Sequence, residues 1–370
     1  MDFTLDGEQT ALRDAVRGLL KAYDPEHRRE VVGEDPGFEE KMWARLAEMG
    51  VLGLPFTEDD GGMGAGPAEV SVVAEEFGRV IAPEPFVEAV VLAGGLVAAR
   101  GSDEQRKRIL GGLSSGELIP AFAYSDPTGG EAGVTVDGDS LTGVKEPVLN
   151  GGRADVLVVF AEGQLFLVDP TALPDDGGSL TSYRTFDGGR AARVVFDQTP
   201  ATPLGEGGDA TEATRDVIAA ATVAYCHEAL GAMDSALKLT TDFLTTRQQF
   251  GMTLNRFQSL SFRAADMYTS LELTRSIVTW ATMVLADDSS SAETKREAAA
   301  RAKLQVSKAG RHIGQEAIQL HGGIGMTAEY SVGHLTARLT AIDHLLGDGR
   351  QQVRNLSRRL TSYGVVEPLP

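Results

Sequence analysis

The sequence has none of the features of a secreted or disulfide-stabilised protein. Cys226 is the single cysteine among 370 residues, so no internal disulfide can form. It lies in the apolar-rich run 219–229, which favours a small buried thiol over a reactive nucleophile. The first residues carry neither the basic segment nor the apolar run of a signal peptide. Together these absences predict a protein of the reducing cytoplasm.

Long apolar runs and an excess of positive charge are also missing. The longest apolar stretch, 87–99, contains Glu88 and is well short of the ~20 residues that a membrane-spanning helix needs. The chain has 34 Lys and Arg against 53 Asp and Glu, which gives a formal net charge of -19. We therefore expect neither nucleic acid nor an anionic membrane as a partner. No metal site is predicted, and any phosphate-bearing ligand must be bound by local donors.

The order of patterns along the chain predicts an α+β protein with three domains. Residues 1–115 show apolar side chains at the helical period, which predicts an N-terminal helical domain. Residues 116–205 hold short β-prone runs separated by glycine and aspartate turns, which predicts a small β-barrel or sandwich. Residues 206–370 predict a C-terminal helical bundle. Its long helices are expected over 209–248, 257–287 and 292–320.

Two motifs in the last domain carry residue types that suit a phosphate-bearing ligand. In the first, Arg247 is followed by Phe250, Gly251 and, eleven residues after Arg247, by Gln258. Arginine offers a planar fork of donors that matches phosphate oxygens. Taken alone, Arg247 is equally well explained as a cation at the C-terminal end of a helix.

The second motif contains Gln319, Gly322 and Gly323 and ends at Tyr330. Two adjacent glycines remove side chains and allow the backbone to approach a ligand closely. In isolation the glycine pair is better explained as a helix cap and turn.

Both motifs, at this spacing, resemble the Arg-x-x-Phe-Gly…Gln and Gln-x-x-Gly-Gly-x-Gly…Glu-Tyr patterns of the acyl-CoA dehydrogenase family. The resemblance covers nearly the whole chain. It implies an FAD-dependent oxidoreductase that desaturates the acyl chain of an acyl-CoA, with an electron acceptor such as an electron-transfer flavoprotein. It also implies six residues that reach across a subunit interface to the ADP half of the neighbour's FAD: Arg247, Phe250, Gln258, Gln319, Gly322 and Gly323.

The resemblance weakens where family members hold the flavin ring and the substrate within one subunit. The family's flavin-facing tryptophan aligns near 147–149, where this chain has none, and its Gly-Ser-Asp is absent from 125–130. The family's catalytic base is a glutamate. An ungapped alignment puts Leu346 at that position, and the alternative position on the long helix is Ala221.

Asp348 enters the base position after a small shift in the alignment. It is a candidate catalytic base, although it is one methylene shorter than glutamate and a displacement of about 1 Å can cost on the order of a hundredfold in rate. The other interpretation is an N-cap for a helix over 349–359.

The features that the chain would lend to a neighbour are kept, while those of its own active site are degraded. This asymmetry predicts a heterotetramer in which the chain completes the flavin site of a second, catalytic acyl-CoA dehydrogenase subunit. Mixed-subunit members of the family suggest a bulky ring-bearing substrate. Two alternatives stay open, namely a self-sufficient homotetramer that uses Asp348, and a non-catalytic scaffold that binds no flavin.

Overall fold

The first part of the chain is helical, as its apolar periodicity predicts. The computed structural model describes residues 4–127, 133–174 and 177–358. Local sequence signals start the helices: Asp6 and Ser102 accept hydrogen bonds from the backbone N–H groups of Gln9 and Gln105, and the two glutamine side chains close capping boxes. The elements of this part are α1 (Gly7–Leu20), α2 (Pro25–Gly33), α3 (Glu40–Glu48), α4 (Pro67–Val80), a π-helix (Phe86–Gly94), α5 (Gly95–Arg100) and α6 (Asp103–Ser114).

The middle part forms two four-stranded sheets that face each other. The strands are β1 (Pro120–Ala123), β2 (Thr135–Asp137), β3 (Ser140–Leu149), β4 (Val156–Ala161), β5 (Gln164–Val168), β6 (Leu180–Arg184), β7 (Arg190–Pro200) and β8 (Thr202–Pro203).

The order of the sheets is β1-β4-β5-β8 and β2-β3-β7-β6, and β1 pairs with β4 in parallel. Leu157 and Phe166 of one sheet share a buried apolar cluster with Leu141 and Phe196 of the other. Side chains that interdigitate between two sheets define a sandwich. Of the two predicted β architectures, barrel and sandwich, the sandwich is therefore confirmed.

The last part is a bundle built on one long central helix. Its elements are α7 (Thr211–Thr246), a hairpin of β9 (Gln248–Gln249) and β10 (Met252–Thr253), α8 (Gln258–Ala286), α9 (Ala292–His321), α10 (Ser331–His344) and α11 (Gly349–Ser357). Cys226 lies fully buried on α7, where burial raises its thiol pKa to about 12, so the buried-thiol interpretation is confirmed. Within the described ranges, every helix falls short of the length and apolar character needed to cross a membrane.

Helices α4 and α7 cross at backbone contact, which joins the first helical part to the bundle. A Cβ added at Gly78 would lie 1.8 Å from the carbonyl oxygen of Glu228, and one at Gly231 would lie 2.0 Å from that of Glu75. Only glycine permits such an approach at these positions. The crossing fixes where the residues of both helices stand relative to each other.

Replacing Gly231 with alanine should destabilise the fold, because the added methyl group has no space at the crossing. Overpacking costs about 1–3 kcal/mol, so the midpoint of thermal unfolding should fall by several degrees. Gly111→Ala in α6 is the matched control, since a Cβ there meets no atom within 4 Å. Equal midpoints for the two variants would contradict the close crossing.

Candidate functional site

One end of the bundle brings together the six residues that the sequence motifs predicted as a group. The rings of Phe243 and His321 lie 4.6 Å apart and join the end of α7 to the end of α9. Arg263 donates to both carboxylate oxygens of Glu316, at 2.5 and 3.0 Å, and joins the start of α8 to the same end of α9. This region, called the bundle end below, carries Arg247, Phe250, Gln258, Gln319, Gly322 and Gly323.

The hairpin after α7 holds Phe250 out into solvent. Phe250 and Gly251 form its two-residue turn, and both have positive φ, of 53° and 80°. Tight two-residue hairpins favour such values, but a bulky aromatic residue rarely adopts them. Phe250 is 87% exposed. Its unfavourable backbone conformation and its exposure make it a candidate contact residue.

The side-chain donors at the bundle end have no partners within the described part of the chain. Arg247, Gln258 and Gln319 are exposed, and their side chains form no hydrogen bond with any described residue. Gly322 has φ 64° and ψ −141°, a conformation essentially confined to glycine. At Gly323 an added Cβ would meet no atom within 4 Å, so packing within this chain does not require glycine there.

A cavity of ≈ 330 Å³ lies between the first helices, the sandwich and α10. Pro147, Leu149 and Leu345 line it, and these residues belong to the segments that align with the family's flavin and base positions. Six side chains of arginine, aspartate and glutamate also line this cavity, called the Arg338 cavity below: Arg28, Glu84, Glu88, Asp187, Arg190 and Arg338.

Arg338 is surrounded by three carboxylates from three other elements. It donates to both oxygens of Glu228, at 2.5 and 3.0 Å, and to Asp187 at 3.0 Å, and Glu88 lies 3.6 Å away. Burial alone would lower the pKa of Arg338, but the carboxylates of Glu228 and Asp187 outweigh it and raise that pKa. No local sequence pattern indicates this cluster, because its members come from distant segments.

Glu84 contributes a buried carboxyl group to the same cavity. The Tyr23 hydroxyl donates to its Oε1, and the backbone N–H of Glu39 lies 3.4 Å from the same atom. Oε2 has no hydrogen-bond partner among the described residues. Burial is the main cause that raises the pKa of Glu84 to about 7.

The predicted base positions hold no group directed at this cavity. Asp348 caps α11, where it accepts a 2.7 Å hydrogen bond from the N–H of Gln351 that lowers its pKa. The cap interpretation is thus confirmed as geometry, while a role as base stays a prediction. Leu346 packs against the apolar core, and Ala221 is fully buried.

Buried Lys303 of α9 fixes the segment before Asp348. Its ammonium group donates to the carbonyl oxygens of Ile342 and, at 2.8 Å, of Leu345. Burial lowers the pKa of Lys303 to about 8. Lys303 is one of three lysines in this alanine-rich helix, and no local sequence pattern indicates its role.

Comparison with known proteins shows the family to which the chain belongs. Residues 6–117 match the model of the acyl-CoA dehydrogenase N-terminal domain, and residues 212–361 match that of the acyl-CoA dehydrogenase C-terminal domain. The chain therefore belongs to the acyl-CoA dehydrogenase family of FAD-dependent oxidoreductases.

Individual relatives are similar over their whole length. The chain is 29% identical to acyl-CoA dehydrogenase FadE27 of Mycobacterium tuberculosis, and the match covers 97% of this chain and 99% of that protein. A solved variant of the Tcur3481-Tcur3483 steroid ACAD is 29% identical with a TM-score of 0.86, covering 97% of this chain and 99% of that one. The ChsE4-ChsE5 complex from Mycobacterium tuberculosis is 26% identical with a TM-score of 0.89, covering 99% and 100%.

Replacing Glu84 with glutamine should change how stability depends on pH. The folded protein keeps a proton on Glu84 up to a pKa of about 7, whereas the unfolded chain releases it near 4.5. The stability that this raised pKa contributes is fully present below pH ~4.5 and is lost as the pH rises through ~7. Glu84→Gln should therefore gain several degrees in unfolding midpoint over the wild type between about pH 5 and about pH 8.

The matched control is Glu48→Gln, which removes an exposed carboxyl group from α3. It controls for the replacement of a carboxyl group by an amide at an exposed position. If Glu84→Gln behaves in the same way as this control, Glu84 does not titrate in a buried environment.

Proposed function

We propose that this chain is one subunit of a heteromeric acyl-CoA dehydrogenase and that its bundle end completes the flavin site of a second, catalytic subunit. FAD, when bound there, accepts the hydride removed from the acyl chain. This chain contributes contacts to the ADP half of the cofactor. The observation that carries the proposal is the contrast between the unused donors at the bundle end and the ion-paired interior of the Arg338 cavity.

The bundle end fits an ADP group presented from outside the chain. The exposed guanidinium of Arg247 suits a pyrophosphate, and the amides of Gln258 and Gln319 can pair with acceptors or donors of the nucleotide. Gly323 leaves its backbone open to close approach. The exposed ring of Phe250 can pack on the ligand or on the neighbouring subunit.

The Arg338 cavity is a poor place for the same chain to hold a flavin ring and a reacting thioester. Its centre is occupied by Arg338 and by the carboxylates that pair with this arginine. Admitting a neutral ring would separate those pairs, and an uncompensated buried charge costs several kcal/mol. The ungapped position of the family's catalytic glutamate holds Leu346, and the alternative position on the long helix holds Ala221, so both carry aliphatic side chains.

The relatives support a mixed assembly and suggest its substrate. Both solved structures reported above are named as pairs of chains, and one is named a steroid enzyme. We therefore propose a heterotetramer that acts on an acyl-CoA with a bulky ring system and passes electrons to an acceptor such as an electron-transfer flavoprotein.

Changing Arg247 to glutamine should weaken FAD binding by the assembled enzyme roughly tenfold, because one charge-assisted pair is lost. Gly323→Ala should have a similar effect without lowering the unfolding midpoint of the isolated chain. Dissociation constants are measured by titrating FAD into the flavin-depleted complex. Arg108→Gln, an exposed arginine on α6, is the control and should leave the affinity unchanged.

Asp348 separates this proposal from a self-sufficient homotetramer. Asparagine is as good an N-cap as aspartate but cannot act as a base, whereas alanine removes both functions. Asp348→Asn should therefore keep both stability and the acyl-CoA dehydrogenase activity of the complex, and Asp348→Ala should lose about 1 kcal/mol of stability alone. A hundredfold loss of activity in Asp348→Asn would favour the homotetramer.

A further inference from the structure

A second cavity, of ≈ 400 Å³, lies beside the loop between β6 and β7. It shares Arg28, Thr185, Phe186 and Asp187 with the Arg338 cavity. Three arginines line it, namely Arg28 and Arg29 from α2 and Arg184 at the end of β6. We call it the triple-arginine cavity.

Each of the three guanidinium groups has N–H donors without an acceptor among the described residues. Arg28 donates to the carbonyl oxygens of Ile81 and Asp187, at 2.6 and 3.2 Å, and its Nη1 has no partner among the described residues. Arg29 makes one side-chain hydrogen bond, to the carbonyl oxygen of Ala328 at 3.0 Å. Arg184 is exposed, and its side chain bonds to no residue that the structure describes. Three side chains of the cavity lining therefore carry N–H groups that have no acceptor among the described residues.

The positive charge of this cavity is not balanced by the residues around it. Of the described residues that line the cavity, Asp187 is the one with a carboxylate. Its oxygens already accept hydrogen bonds from Arg338 at 3.0 Å and from the Thr185 hydroxyl at 2.5 Å. Burial and the nearby Arg338 lower the pKa of Arg28 to about 10, as expected of a buried cation without a sufficient counter-charge. This local excess of positive charge contrasts with the formal net charge of -19 of the whole chain.

We infer that the triple-arginine cavity binds the phosphate group of a small molecule. Guanidinium forks pair with phosphate oxygens in bidentate fashion, and sites for small molecules span about 300–1,000 Å³. Phe186 also lines the cavity and is 66% exposed, so its ring face can stack on an aromatic base attached to the phosphate. The ligand is therefore either a free phosphate compound or a nucleotide. Neither flavin nor a second chain is needed, so this inference is independent of the proposed function.

Isothermal titration calorimetry of the full-length chain tests the site, with inorganic pyrophosphate and coenzyme A as separate probes at low salt. Arg184→Gln should weaken binding of both probes roughly tenfold. Because Arg184 bonds to no described residue, this variant should unfold at the wild-type midpoint. Arg108→Gln removes an exposed arginine from α6 and should bind both probes as the wild type does.

Phe186→Ala distinguishes the two ligand sources. If Phe186→Ala loses affinity several-fold for coenzyme A but not for pyrophosphate, the ligand is a nucleotide. If the two probes bind with equal affinity and this variant changes neither affinity, the ligand is a free phosphate compound. Absence of binding by either probe, or unchanged affinity in Arg184→Gln, overturns the inference. A loss in Arg247→Gln in place of Arg184→Gln would assign the binding to the bundle end and would overturn it as well.

Discussion

Arg338 is the charge around which the interior of this protein is arranged. Its guanidinium joins Glu228 of the bundle, Asp187 of the sandwich and Glu88 of the π-helix, so one buried cation connects all three parts of the chain. Removing one partner from such a buried group costs about 3–5 kcal/mol, because the remaining charge stays uncompensated. The cavity beside Arg338 is therefore shaped by charge pairing as well as by apolar packing, and a ligand entering it has to compete with those pairs.

The bundle end shows the opposite arrangement. Its donors have no partners within the described chain, and large apolar side chains lie exposed around them. Monomeric proteins rarely expose many such side chains together, so the region has the character of a surface that another chain covers. The exposed apolar residues there include Phe250, Met252, Ile324 and Met326. The charged side chains of the Arg338 cavity are thus paired with one another, while the donors of the bundle end have no partner among the described residues.

Much of the fold could be predicted because its signals are local. The helical period and the breaks at glycine and proline indicated the three long helices of the bundle to within a few residues, and the cap position of Asp348 follows from its place before α11. The choice between barrel and sandwich stayed open, because β1 pairs with β4 across two intervening strands and no local pattern reports such pairing. The bundle-end residues lie in one region because their motifs stand at the ends of long helices that meet in space.

The charged interior could not be predicted in this way. Arg338, Glu228, Asp187 and Glu88 are separated by dozens of residues or more, and each alone reads as an ordinary surface charge. Glu84 likewise becomes unusual only when α1 and α2 bring Tyr23 against it. Such clusters depend on tertiary packing, which periodicity and spacing do not report.

The ratio of FAD to protein chains decides whether this chain completes the flavin site of a second subunit. The ratio is determined for this chain purified alone and for its complex with a co-expressed acyl-CoA dehydrogenase subunit. If the chain does complete that site, the chain alone is colourless, and the complex is yellow and contains one FAD for each pair of unlike chains. A yellow protein with one FAD per chain when purified alone, or a colourless complex that releases no flavin on denaturation, would contradict this role of the chain.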